Sequence, residues 1–207
     1  LVVVDPADYG KVAQQLRQGT VDISLRKRLA QKAFQHVAIY DIAISQYLRE
    51  KDDLFPPEQT ISLKKRSDLR YGENPHQKAA LYVEQTMGRQ AGGVGTATQL
   101  GGPELSFNNY LDLDAAWNAV CDFAASTVAI IKHTNPCGIA SDHDLPEAYR
   151  RALAGDPIAA FGGIVAVNTV IDLRTAQEID KTHFDAIVAE DFSPEALVLM
   201  GRKKGLR

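Results

Sequence analysis

Lys132 and His133 stand side by side in the stretch IIKHTNPCG, at the point where the apolar run STVAII should end. A strand alternates its side chains between two faces, so neither residue can be hidden without a partner. At the C-terminal edge of a strand both can face one crevice, the usual ligand position in open α/β sheets. A neutral imidazole accepts a proton near pH 7, and a neighbouring ammonium favours that neutral form and stabilises developing negative charge. A snorkelling lysine beside a histidine bonded to its own turn accounts for the same residues equally well.

Cys137, four residues on, offers two further readings. As a nucleophile its thiolate would need a nearby cation, which Lys132 or His133 could supply. As a small residue in a Pro-Cys-Gly turn it would simply be buried. A zinc deaminase would need His-x-Glu and a later Pro-Cys-x-x-Cys. Here Thr134 and Asn135 follow His133, and Gly138, Ile139 and Ala140 follow Cys137, so the carboxylate and second thiolate are missing.

Other stretches hold groups of the same kind. LRYGENPHQK carries Arg70 and Lys78 as anion ligands, Tyr71 as a stacking or hydrogen-bonding ring, and Gly72 for close backbone approach. It is equally an inter-strand loop with solvated charges. In GDPIAAFGGIVAVN the pair Gly162 and Gly163 precedes a strand, permitting either close approach to a ligand or a tight turn at positive φ. Asp185, entering AIVAE, can accept from a ribose hydroxyl or a base amine, or serve as a turn residue. His36, His143 and His183 have no evident partners and read as structural or surface residues.

The elements that must position these groups follow from periodicity. Leu1 to Val4 reads as a buried-type strand, followed by a helix with Asp5 as N-cap, Pro6 at its first position and Gly19 as terminator. From Ser24 to Leu48, apolar residues at Leu25, Leu29, Ala33, Val37, Tyr40, Ile44 and Tyr47 make one helical stripe. REKDDLFPPEQT breaks the pattern, which makes residues 51–60 a linker between a piece at 1–50 and a second at 61–207. In the second piece, strands ISLKKRSDL and KAALYVEQ flank the RYGENPHQ loop, and the Gly-rich QAGGVGTATQLGGPE is expected to be exposed loop. A helix then begins near Ser106. After it come strand TVAIIK, a loop, helix LPEAYRRALAG, strand GIVAVN, helix LRTAQEID, strand FDAIVAE and helix SPEALVLMG. Asp144 and Glu147 have capping-box spacing. The alternation predicts a three-layer α/β sandwich with largely parallel strands.

The 207 residues have a formal net charge of −3, with 45% hydrophobic and 24% charged residues. Such a chain has no general affinity for nucleic acid or anionic membranes, and no apolar run reaches the roughly 18 residues of a span. Two cysteines form neither a disulfide framework nor a paired zinc motif, which fits a reducing cytoplasm. An LVVV start without Met and a KKGLR end suggest a chain cut through structure at both ends.

LRYGENPHQ, IKHTNPCGIA and GDPIAAFGGIVAVN, in this order, resemble the transformylase half of a bifunctional family. Its members are 5-aminoimidazole-4-carboxamide ribonucleotide (AICAR) transformylase and inosine monophosphate (IMP) cyclohydrolase in one polypeptide. VVVDPADYGKV and KRLAQKAFQHVAIYDIAISQYL resemble the end of the family's cyclohydrolase domain. The resemblance implies the C-terminal part of a methylglyoxal-synthase-like domain followed by a first cytidine-deaminase-like α/β/α unit. It implies His133 as general base, Lys132 as its transition-state partner, Arg70 and Tyr71 as an AICAR-binding pair, and Gly162 and Asp185 as further nucleotide contacts. His133 belongs to the AICAR contacts as well. Cys137 is not among the family's catalytic positions. Further expectations are 10-formyltetrahydrofolate as co-substrate, no metal in the chemistry, and a cytoplasmic homodimer with shared active sites. The cyclohydrolase phosphate-binding loops and the second deaminase-like unit have no counterpart in the 207 residues, so the isolated chain is expected to turn over neither reaction. A folding and dimerisation module, or a divergent nucleotide deaminase, are the alternatives.

Overall fold

The computed structural model describes residues 1–50, 52–85 and 92–207. Lys51 of the expected linker, and Gln90 and Ala91 of the expected Gly-rich loop, lie outside the described residues. The chain divides into two compact units, Leu1–Lys64 with Glu84–Gln90, and Lys65–Val83 with Ala91–Arg207.

In the first unit, Asp5 accepts from the Ala7 N–H at 2.9 Å and caps a short 3-10 turn, Pro6–Asp8, that leads into α1 (Tyr9–Arg17). Gly19, at φ 94°, supplies the left-handed residue just beyond it. Helix α2 (Ile23–Leu48) is capped by the Asp22 carboxylate, which accepts from the Leu25 N–H at 2.8 Å. Ser24, Leu25 and Gln15, in that order of effect, all donate to Asp22 and hold its carboxyl well below the usual range.

The helix expected over 24–48 forms as α2, whereas one expectation for this unit fails. Leu1 to Val4 form no strand: Leu1 and Val2 are exposed, and Val3 alone packs onto the small core of Val12, Val21, Leu25 and Leu29. A strand needs a neighbouring ladder, and β propensity alone does not provide one. The α2 stripe is covered only at Leu25 and Leu29; Val37, Tyr40, Ile44 and Tyr47 are exposed.

In the second part of the chain, β1 (Leu63–Asp68) and β2 (Ala80–Glu84) pair as a two-stranded sheet. A four-stranded sheet in the order β4-β3-β5-β6 forms the centre. It comprises β3 (Thr127–Lys132), β4 (Asn135–Ser141), β5 (Ile164–Ile171) and β6 (Ala186–Phe192). Alternation along the strands sorts the core into two layers. Ala129, Ile131, Ile164 and Ala166 pack with Leu113, Ala116 and Val120 of α3 (Phe107–Cys121). Val128, Ile130, Val165 and Val167 pack with the opposite layer, α4 (Leu145–Gly155), α5 (Leu173–Asp180) and α6 (Pro194–Met200). The arrangement is α/β/α, as the alternating pattern predicts.

The largely parallel sheet is corrected. Strand β3 runs antiparallel to both β4 and β5, and only β5 and β6 pair in parallel. The cause is β4, which occupies residues expected to be loop. Asn135 and Pro136, which look like turn residues, open an edge strand, where the missing proline N–H leaves no ladder bond unmade. Strands β4, β5 and β6 share one direction, and β3 is the inverted member.

Caps differ from expectation too. Asp144 makes no side-chain cap bond, so its spacing to Glu147 is not a working box; its carbonyl accepts from the Glu147 N–H instead. A complete box stands at α3, where Ser106 Oγ accepts from the Asn109 N–H and Asn109 Oδ1 from the Ser106 N–H. Asn at the third position in place of Glu or Gln hid it from the sequence pattern.

Candidate active site at one edge of the sheet

Lys132 is the last residue of β3, and the antiparallel pairing with β5 puts it at the edge where β5 begins. Its ammonium donates to the Phe161 carbonyl at 2.7 Å. Phe161 belongs to the segment joining α4 to β5, which Asp156 winds tightly by accepting from the Ile158 and Ala159 N–H groups. Gly162 follows at φ 73°, the left-handed region that glycine takes without strain. At Gly163 a Cβ would lie 2.8 Å from the Ile131 carbonyl, so the second glycine is required by close packing against β3. The adjacent glycines therefore have different duties.

Asp185 precedes β6 and closes the same edge. Its N–H donates to the Gly163 carbonyl, and the Gly162 N–H donates to the His183 carbonyl, both at 2.9 Å. His183 is not partnerless as its sequence context suggested: its Nε2 is 3.7 Å from Asp185 Oδ1 and its ring lies 5.2 Å from that of Phe161. Sequence spacing gave no sign of this group, because the parallel β5–β6 entry alone brings Phe161 beside His183. Lys132, Gly162 and Asp185 thus converge, with His183 and Phe161 added.

His133 occupies the tight turn between β3 and β4, with Lys132 and Asn135 as the closing pair. Both turn residues have positive φ, 52° for His133 and 61° for Thr134, as in a type I′ hairpin. Each backbone N–H donates to Asp112 of α3, His133 to Oδ2 at 3.2 Å and Thr134 to Oδ1 at 2.7 Å. The His133 carbonyl accepts from Thr134 Oγ1 and Asn135 Nδ2, both at 2.7 Å. The imidazole is exposed, and among the described residues it has no hydrogen-bond partner.

The loop after β1 is built differently. Gly72 and Gln77 bond to one another through the backbone, and Gln77 Oε1 accepts from the Asn74 N–H at 2.8 Å. A Cβ on Gly72 would press against the Gln77 side chain at 2.9 Å, which explains a glycine there. Arg70 is exposed, with its guanidinium carbon 5.5 Å from the centre of the Tyr71 ring. The Arg70 N–H donates to the Leu105 carbonyl, the Phe107 N–H to the Tyr71 carbonyl, and Asn108 Nδ2 to the Glu73 carbonyl. Asn108 and Asp112 are four residues apart on α3 and share one helix face. One holds the Arg70 loop, the other the His133 turn.

Cys137 behaves as a small packing residue. It is the extra residue of a β-bulge, since Ile130 pairs with Gly138 and Ile131 with Pro136, and it is half-buried against the α4 layer. Burial first, then Asp156, push its thiol up against the opposing effect of Lys132, the reverse of an activated nucleophile. Among the described residues, no group of three His, Cys, Asp or Glu side chains is arranged to hold a metal ion. No described helix is long and apolar enough to cross a membrane.

Comparison with known proteins agrees with these motifs. The chain is 44% identical over 209 residues to the bifunctional purine biosynthesis protein PurH of Ruminiclostridium cellulolyticum, covering all of this chain and 40% of that protein. The PurH of Persephonella marina is also 44% identical, with 100% and 41% covered, and that of Chelativorans sp. is 46% identical, with 100% and 39% covered. The chain therefore spans about two-fifths of the length of these curated relatives. A family model described as the AICARFT/IMPCHase bienzyme matches residues 1–207; with every residue inside that match, the chain belongs to the AICARFT/IMPCHase bienzyme family.

Proposed function

We propose that the chain carries the proton-transfer half of an AICAR transformylase site. In this reading residues 1–50 are the end of a cyclohydrolase domain of methylglyoxal-synthase type, 51–60 a linker, and 61–207 a first cytidine-deaminase-like unit. The whole enzyme is a homodimer of the cytoplasm that makes IMP. The weakly nucleophilic 5-amino group of AICAR attacks the formyl carbon of 10-formyltetrahydrofolate. The amine proton goes to His133, the C–N bond to the folate breaks, and the departing folate nitrogen receives a proton. Lys132 stabilises the charge on the formyl oxygen or assists that delivery. Arg70 and Tyr71 hold the nucleotide, with Gly162 and Asp185 as further contacts.

The observation that carries the reading is the convergence at one sheet edge. An imidazole with no hydrogen-bond partner among the described residues follows a lysine held by the Phe161 carbonyl, next to the glycine and carboxylate that precede β5 and β6. The alternative of a zinc-dependent deaminase needs a ligand set that these residues do not supply.

The test is His133→Ala in a polypeptide of the relatives' full length that carries these 207 residues. Turnover should fall about 10²- to 10⁴-fold, the scale of one general acid–base group, while AICAR affinity changes little. Near-parental kcat would assign the base elsewhere.

A further inference from the structure

His133 and Thr134 are consecutive, and they are the non-glycine residues at positive φ among the described residues. A two-residue turn of this type normally takes Asn-Gly or Asp-Gly, because Cβ is crowded in the left-handed region. A β-branched threonine fits worst of all. Strain of this kind persists only where the surroundings over-determine it, and it concentrates at functional sites.

The determinant here comes from another element. Both oxygens of Asp112 are used, one for each N–H of the strained pair, at 3.2 and 2.7 Å. Bonds from N–H groups to a carboxylate are stronger than those to a neutral acceptor. On the opposite side the His133 carbonyl is closed by Thr134 Oγ1 and Asn135 Nδ2. The backbone is thereby fixed from both sides, while the imidazole is exposed. Asp112 is half-buried on α3, a 15-residue helix packed on the sheet, so the anchor is itself rigid.

We infer that Asp112 is a positioning residue: its carboxylate holds the His133–Thr134 turn in the left-handed conformation that aims His133 for proton transfer. The inference rests on the reading of His133 as base. It makes the carboxylate specific, because an asparagine has one acceptor and would set an NH₂ group against the second N–H. It also gives α3 a second duty, since Asn108 on the same face anchors the Arg70 loop.

The experiment uses the full-length context, with parent, Asp112→Ala, His133→Ala and the double variant. Asp112→Ala should lower kcat about 10- to 100-fold, the scale of a small misplacement of a reacting group. Its KM for AICAR should stay within about threefold, because the proposed nucleotide contacts Arg70, Tyr71, Gly162 and Asp185 remain. The double variant should be no slower than His133→Ala, since Asp112 acts through His133. Adding Thr134→Gly to Asp112→Ala should recover part of the turnover, because glycine takes positive φ unaided. Should Asp112→Ala not fold, the nearly isosteric Asp112→Asn carries the same comparison. Parental kcat in the Asp112 variant beside a slow His133→Ala would overturn this inference alone. Losses that multiply in the double variant would do the same. Parental kcat in His133→Ala would overturn the base reading and, with it, this one.

Discussion

The two loops that carry the proposed site are held in opposite ways. The His133 turn is short, strained at both residues, and pinned by a carboxylate from a different element. The Arg70 loop is longer, is closed by its own Gln77, and is tied to α3 by one asparagine and one backbone bond, with a second backbone bond to Leu105 just ahead of the helix. Its charged and aromatic tips, Arg70 and Tyr71, lie outside that closure. The difference suits two tasks. Proton transfer needs one group fixed within a fraction of an ångström. Gripping a nucleotide needs a cation able to adjust to its ligand. Strain is therefore found where chemistry is proposed, and local self-closure where binding is.

After the loss of turnover expected for His133→Ala, the largest effect that would sharpen the contrast is expected at Arg70. Arg70→Ala in the full-length context should weaken AICAR binding about 10- to 150-fold, the equivalent of losing charge-assisted bonds worth roughly 1.5–3 kcal/mol. Calorimetric titration with thermal unfolding as folding control measures it, and an unchanged dissociation constant would make the loop merely structural. A second effect belongs to the other side of the comparison. Gly163→Ala sets a Cβ 2.8 Å from the carbonyl of Ile131, the residue before Lys132. Overpacking against backbone should cost about 1–3 kcal/mol, read as a lower urea midpoint. Gly162→Ala has open space around it and only its positive φ of 73° to contend with, so its loss should be smaller. If Gly163→Ala proved the milder of the two, the close approach at the site edge would be wrong. The smallest effect is expected at Gln77→Ala, which frees the exposed Asn74 N–H and should cost about 0.5–1 kcal/mol. A larger loss, or altered turnover, would show that the Arg70 loop is as tightly determined as the His133 turn.

Much of this was legible from residue types. Helices α1 to α6 fall where the periodicity and Gly/Pro punctuation put them, although the apolar stripe of α2 is buried only at its start, at Leu25 and Leu29. The α/β/α layering follows from the alternation of Val128 to Ile131 and Ile164 to Val167. What stayed hidden depends on neighbours distant in sequence. The His133–Thr134 turn carries no turn signal, since its left-handed backbone is imposed by Asp112, 21 and 22 residues earlier. Missing that turn meant missing β4, and missing β4 gave the sheet the wrong strand direction. Asn168 was passed over for the same reason. Its side chain accepts from the Thr127 N–H and donates to the Val120, Phe123 and Ala125 carbonyls, tying the end of α3 to β3. Within the candidate site, Lys132, His133, Gly162 and Asp185 were visible as residue types, whereas His183, Phe161 and Asp112 required the fold.

The contrast between the two loops meets its most direct test in single-turnover formyl transfer at saturating AICAR and folate, with His133→Ala and Arg70→Ala compared in the full-length context. Saturation removes the binding deficit and leaves the chemical step. His133→Ala should remain about 10²- to 10⁴-fold slow, while Arg70→Ala should return to within a few-fold of the parent. An Arg70 variant as slow as the His133 variant, or a His133 variant at the parental rate, would contradict the division of labour between the two loops.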